Sequence, residues 1–201
     1  MPRSSHAVFL RRAMRRASVT LLLLISGITH AAGLDIDQLM QGLAQVRNGQ
    51  AGFVETKYIA MLDRPVESSG ELFYTAPDRL EKRTLKPKPE SMILDGGTLL
   101  IERGRQRHSL QLQDYPELAA VIDSIRGTLA GDRRALERSY RLSLEGSAER
   151  WTLQLLPLDE KMQAVIKRIS IAGAHHAVSS IEINRVDGDR SLMRIEKLSA
   201  R

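Results

Sequence analysis

From Phe53 onward, apolar residues recur at every second position in short runs, the period of a strand with one face buried, and turn-forming residues separate the runs. The pattern is densest between Gly70 and Gly104. There it predicts four strands, Glu71–Tyr74, Arg79–Leu85, Ser91–Leu94 and Thr98–Arg103, interrupted at Ala76-Pro77-Asp78, Lys86–Pro89 and Asp95-Gly96-Gly97. The Asp-Gly pair supplies the positive φ angles of a tight hairpin turn, and Pro77, Pro87 and Pro89 fall between runs, where no ladder N–H is lost. This stretch is a meander, and one face of such a sheet must be covered.

The same period continues on both sides. Phe53–Leu62 reads as one long strand broken at Asp63-Arg64-Pro65, and Arg107–Gln113 pairs back across Gly104. Tyr140–Leu144, Arg150–Leu156, Lys167–Ala172, Val178–Val186 and Ser191–Leu198 follow, the last two joined by the tight-turn signature Asp187-Gly188-Asp189, for about eleven strands in all. The spacing changes to helical in two places. Asp35–Arg47 has apolar residues at 36, 39, 40, 43 and 46, with Asp35 or Asp37 to cap its start and Asn48-Gly49 to end it. Pro116–Asp132 carries Leu118, Val121, Ile122, Ile125 and Leu129 on one stripe, with Pro116 tolerated in the first turn and Glu117 suited to the dipole. Further helical turns are predicted at Asp132–Arg138 and Leu158–Val165. The fold class is therefore mainly β with a helical insertion between the sixth and seventh strands, in one domain.

The alternating positions are aliphatic to an unusual degree: Leu72, Tyr74, Leu80, Met92, Leu94, Leu99, Ile101, Leu110, Leu112, Leu142, Leu144, Trp151, Leu153, Leu155, Ile169, Ile171, Ile181 and Ile183. On a curved sheet they converge on one side. Spacing alone favours an ordinary barrel or sandwich core, yet a sheet of this many strands tends to enclose a cavity when it closes. The helix of Leu118 to Leu129 is the candidate to fill it.

The first thirty residues bear on compartment. Arg3, Arg11, Arg12, Arg15 and Arg16 precede the apolar run Val19–Ile28, and Thr29-His30-Ala31 offers small residues at a signal-peptidase site. The run is shorter than the roughly 20 residues that span a bilayer, so a signal cleaved at Ala31 or Ala32 is expected, with an uncleaved anchor as the alternative. Residues 32–201 then form the mature domain, placed in the periplasm. Five of the 30 basic residues lie in that segment, leaving 25 against 24 acidic ones, so the basic pI of the whole chain does not indicate nucleic-acid binding. The chain has no cysteine, which excludes a lipobox, thiol catalysis and the usual structural zinc sites.

Catalytic chemistry finds little support. His108, His175 and His176 stand in no ligand spacing, and His175-His176 reads as a solvated turn. Asp187-x-Asp189 lacks the distal glutamate of a calcium loop. Glu55, Glu71 and Glu81 read as solvent-facing strand charges. No catalytic residue, metal or cofactor is expected.

The order of elements and three motifs resemble the bacterial outer-membrane lipoprotein carrier family, LolA: Phe53-x-Glu55, where the family has Phe-x-Gln; Gly70-x-Leu72 through Pro77; and Ser91–Leu99, an apolar strand followed by Asp95-Gly96. The resemblance covers the mature chain. It implies an incomplete antiparallel β-barrel with a helical lid, whose apolar cavity shields the acyl chains of a lipoprotein between an inner-membrane donor transporter and an outer-membrane acceptor. It implies that the positions above, Leu142 and Leu144 apart, line the cavity and that Leu118, Val121, Ile122, Ile125 and Leu129 form the lid, in a non-enzymatic monomer. Three positions depart from the family pattern: Ala76 replaces an arginine, Lys82 a tryptophan and Leu80 an aromatic residue. A carrier of another lipid, a glycolipid or a lipid-linked pigment precursor is an alternative, as is a sensor domain that recognises lipoproteins.

Overall fold

The computed structural model describes residues 34–197, so the expected signal segment lies outside the described residues. Eleven strands form one antiparallel sheet: β1 (Asn48–Tyr58), β2 (Val66–Thr75), β3 (Arg79–Lys86), β4 (Glu90–Asp95), β5 (Thr98–Arg103), β6 (Gln106–Gln111), β7 (Tyr140–Ser147), β8 (Arg150–Pro157), β9 (Ile166–Ala174), β10 (Ala177–Arg185) and β11 (Arg190–Lys197). Their order is β6-β5-β4-β3-β2-β1-β11-β10-β9-β8-β7. The sheet is therefore a pair of meanders joined through β1 and β11, with β6 and β7 as its edges. The helices are α1 (Ile36–Ala44), α2 (Pro116–Ala130), α3 (Arg133–Ser139) and α4 (Glu160–Gln163).

Local chemistry accounts for the helix ends. Asp35 and Gln38 form a reciprocal capping box at the start of α1, and Asp132 and Asp159 cap α3 and α4 by accepting from Ala135 and Met162 N–H. Pro116 opens α2, and Gly131, in the left-handed conformation at φ 66°, ends it. Among the described residues no helix is long and apolar enough to cross a membrane.

Three boundaries differ from the sequence expectation. α1 stops at Ala44, and Asn48-Gly49, expected to end it, instead opens β1 by pairing with Thr75 and Tyr74. β1 ends at Tyr58: Ile59–Leu62, apolar enough to read as strand, is a turn closed by the Leu62 N–H to the Ile59 carbonyl, and the Ala60 N–H donates to Asp189 Oδ1 at 2.8 Å. β6 ends at Gln111, so Leu112 sits in a one-turn 3-10 helix, Leu112–Asp114, rather than on the strand.

One face of the sheet is covered by helices and holds two apolar clusters. The larger joins Leu39, Met40 and Leu43 of α1 and Leu136 of α3 to Trp151, Leu153, Leu155, Ile169, Ile171 and Ile181 of β8 to β10. The smaller centres on Leu94, Leu99 and Leu112. α2 touches both: Val121 and Ile125 pack on the first, Leu118 and Ile122 on the second. Its most buried seam is of small residues, Ser124, Gly127 and Thr128; Gly127 faces Leu136, and the Thr128 hydroxyl is satisfied by the Ser124 carbonyl at 2.7 Å.

Candidate functional site

Strand register decides which side chains share the inner face. Directly opposed pairs link Tyr74, Leu80, Leu94, Leu99 and Leu110 in one row across β2 to β6, and Leu72, Lys82, Met92, Ile101 and His108 in the next. On the other half, Met193, Ile181, Ile171, Leu153 and Leu144 form a row, with Ile183, Ile169, Leu155 and Leu142 beside it. Trp151 lies opposite Gly173, where a Cβ would come within 2.4 Å of the indole. All the alternating aliphatic positions named from sequence therefore face the same side, with Leu112 joining them from its 3-10 turn.

Their burial is not uniform. Trp151, Leu153, Leu155, Ile169, Ile171 and Ile181 are packed with α1, α2 and α3; Leu94, Leu99 and Leu112 are buried in the second cluster with α2, and Tyr74 is buried as well. Leu72, Leu80, Met92, Ile101 and Leu110, all on β2 to β6, stay half-exposed, as do Leu142, Leu144 and Ile183. The five α2 positions expected to form a lid are also half-buried, and Leu129 belongs to neither cluster. A recess of about 620 Å³ opens beside the start of α2, lined by Tyr115, Pro116, Leu118, Ala120, Tyr140 and Met162 among others. Tyr140 closes part of it by donating its hydroxyl to the Ala120 carbonyl at 2.9 Å. Burial, with Asp123 nearby, pushes that phenol up to about 12.

The inner face also carries a charge that the sequence reading placed in solvent. Glu55 is 6% exposed, because it shares parity with buried Phe53 and faces inward beside Met193. Its carboxylate accepts from Lys82 Nζ at 2.5 Å, Ser191 Oγ at 2.7 Å and Ser68 Oγ at 3.4 Å. Lys57 Nζ lies 3.6 Å away. Burial alone would raise this carboxyl; the Lys82 charge and hydrogen bond, with Ser191 and Lys57, outweigh it and hold the group below its ordinary value. Lys82 reaches Glu55 past the Phe53 ring, 4.9 Å from its centre, and Gly70, opposite Phe53 on the intervening strand, presents no side chain. Alternation held the signal for this pair: Glu55 follows Phe53 by two, and Lys82 follows Leu80 by two. Glu81 lies on the outer face, ion-paired with Arg83 and Arg79, and Glu71, half-buried, faces the same side opposite Arg83. His175 and His176 are exposed at the β9–β10 turn, and Asp187 and Asp189 lie in the β10–β11 turn.

A model of the family described as outer membrane lipoprotein carrier protein LolA-like matches residues 28–195. The chain belongs to this LolA-like family. The open antiparallel sheet with its helices on one face is the LolA-like fold. Among solved structures, a LolA superfamily protein from Nitrosomonas europaea aligns with 84% of this chain and 96% of its own at 9% identity, with a TM-score of 0.44. A chain of the Pseudomonas aeruginosa MucA/MucB complex aligns at 14% identity and TM-score 0.48 over 83% of this chain, which spans 57% of it. The structure of the CwlD amidase from Clostridioides difficile in complex with the GerS lipoprotein gives 12% identity and TM-score 0.44, over 80% of this chain and 91% of that one. No curated protein matches the chain. In this LolA-like chain Glu55 and Lys82, two of the positions that depart from the family motifs, are in contact.

Proposed function

We propose that this LolA-like protein is a periplasmic carrier that shields acyl chains of a lipoprotein or another lipid against the inner face of β2 to β6, beneath α2. The observation behind this reading is the difference between the two halves of the inner face. Leu72, Leu80, Met92, Ile101 and Leu110 form a largely apolar surface that is only partly buried, the last four packed against Leu94, Leu99 and Leu112, whereas Trp151, Leu153, Leu155, Ile169 and Ile171 of β8 and β9 are fully buried. Apolar area of this kind favours hydrocarbon over water. The donor and acceptor are a membrane transporter and an acceptor in the opposing membrane, as in the family's carriers.

Burying a 16-carbon chain is worth about 13 kcal/mol as an upper bound, at about 0.8 kcal/mol per methylene. A carrier that kept all of that would not release its cargo. The lid offsets part of the gain: Leu118 and Ile122 of α2 already pack on Leu94, Leu99 and Leu112, and incoming chain must displace them.

The test is titration of the purified protein with a pyrene-labelled alkane. Saturable binding that Ile101→Glu abolishes while the melting temperature holds is the expected result. Absence of saturable binding to the wild-type protein overturns the reading.

A further inference from the structure

The half-exposed row on β2 to β6 is apolar except at Lys82, which stands between Leu72 and Met92, and at His108 on the sheet edge. An ammonium offers three N–H donors. Lys82 gives one to Glu55 and turns towards the Phe53 ring, and no other acceptor meets it among the described residues. Its side chain remains 23% exposed, so Lys82 is not sealed from solvent on the inner face. Glu55 is engaged on both oxygens by Lys82, Ser191 and Ser68, with Lys57 beside it, and has little capacity for a ligand. Lys57, Glu55 and Lys82 together carry one net positive charge. As a structural device alone the pair is poorly chosen, because a well-packed apolar pair on such a face is commonly as stable or more so.

We propose that Lys82, held by Glu55, is the head-group subsite of the groove, and that the preferred ligand is an acyl chain ending in an anionic oxygen, a carboxylate or a phosphate. This rests on the carrier reading above. Glu55 acts as a positioning residue: it fixes the ammonium at the border of the apolar row, and the ligand's anionic oxygen takes the remaining donor while its chain lies along Met92, Leu72 and Ile101. Lys57 supplies the excess charge that lets an anion approach a site already holding a carboxylate.

The experiment compares dodecanoate with dodecan-1-ol as competitors of a pyrene-labelled alkane at pH 8, in the wild-type protein and in the Glu55→Gln/Lys82→Met double variant, which removes both buried charges together. The double variant is expected to lower the ratio of dodecanoate to dodecanol affinity at least about tenfold, the size of one charge-assisted hydrogen bond. Lys82→Arg keeps the ratio within about threefold of wild type. Lys57→Met, on a half-exposed side chain, lowers the ratio while leaving both partners of the buried Lys82–Glu55 pair in place, and serves should the double variant fail to fold. Acetate at millimolar concentration displaces nothing; displacement by acetate overturns the claim that the anion must be joined to a chain. An unchanged ratio in both variants, with both competitors still binding, overturns the head-group subsite and leaves the carrier reading standing. Failure of both competitors to bind the wild-type protein overturns both readings, and binding of dodecanol without binding of dodecanoate overturns the subsite alone.

Discussion

Gly131 brings the end of α2 against α1 so closely that a Cβ on it would lie 2.2 Å from the Met40 carbonyl oxygen. With φ at 66°, the position is also one that a side chain adopts at a cost. α2 is thus pinned at its C-terminal end by backbone contact, while its apolar stripe is only half-buried. Gly131→Ala is expected to destabilise the protein by about 1–3 kcal/mol. Chemical denaturation checks this, and if α2 is the lid proposed above, the same variant should bind a hydrocarbon probe with altered affinity.

Stability at low pH should report on Glu55. Its carboxyl is held below the ordinary value of 4.5 in the folded protein, so its contribution is complete above that value and is lost as pH falls through the lowered one. Glu55→Gln is expected to flatten the acid limb of the stability curve below about pH 4.5. At neutral pH it should cost about 2 kcal/mol, because Lys82 loses its partner on a largely buried face. Urea titrations at pH 3 to 7 measure both effects.

The two parts of the inner face should respond differently to the same substitution. Leu94 is 2% exposed within the packed cluster, and Leu94→Ala is expected to cost about 2–5 kcal/mol. Met92, two residues earlier and half-exposed, should tolerate Met92→Glu with a melting temperature within a few degrees of wild type and a strong loss of hydrocarbon binding. Thermal melts paired with probe titration separate the cases; equal destabilisation at both positions would make the whole face a plain core.

Tyr140 ties the start of β7 to α2 through the Ala120 carbonyl. Tyr140→Phe is expected to cost about 1 kcal/mol and to loosen the N-terminal half of α2. With its phenol pushed up to about 12, Tyr140 should titrate late in the ultraviolet absorbance of the folded protein. The raised value means that the folded state favours the protonated phenol, so its contribution holds below the ordinary value of 10 and is lost as pH rises through about 12.

Much of this architecture was legible in the sequence, because strand alternation and turn chemistry are local. The hairpins at Asp95-Gly96 and Asp187-Gly188 and the opening of α2 at Pro116 each follow from two or three residues. The misplaced boundaries lie where long-range contacts override local pattern: Asn48-Gly49 pairs with β2, and Ile59–Leu62 folds into a turn fastened by Asp189. Glu55 was misread because solvent exposure was inferred from its charge, whereas parity with Phe53 set its direction. Which half of the inner face would be filled was not legible, since α1 and α3 cover one half through tertiary packing that spacing does not encode.

The central claim is that the half-exposed face of β2 to β6 is occupied by hydrocarbon in the cell. Native mass spectrometry of the protein, purified without detergent from the envelope of its own bacterium, tests this most directly. The account predicts a mass above that of the polypeptide, released on denaturation as acyl-containing lipid. A bare polypeptide mass throughout, from cells in which the protein is abundant, would contradict it.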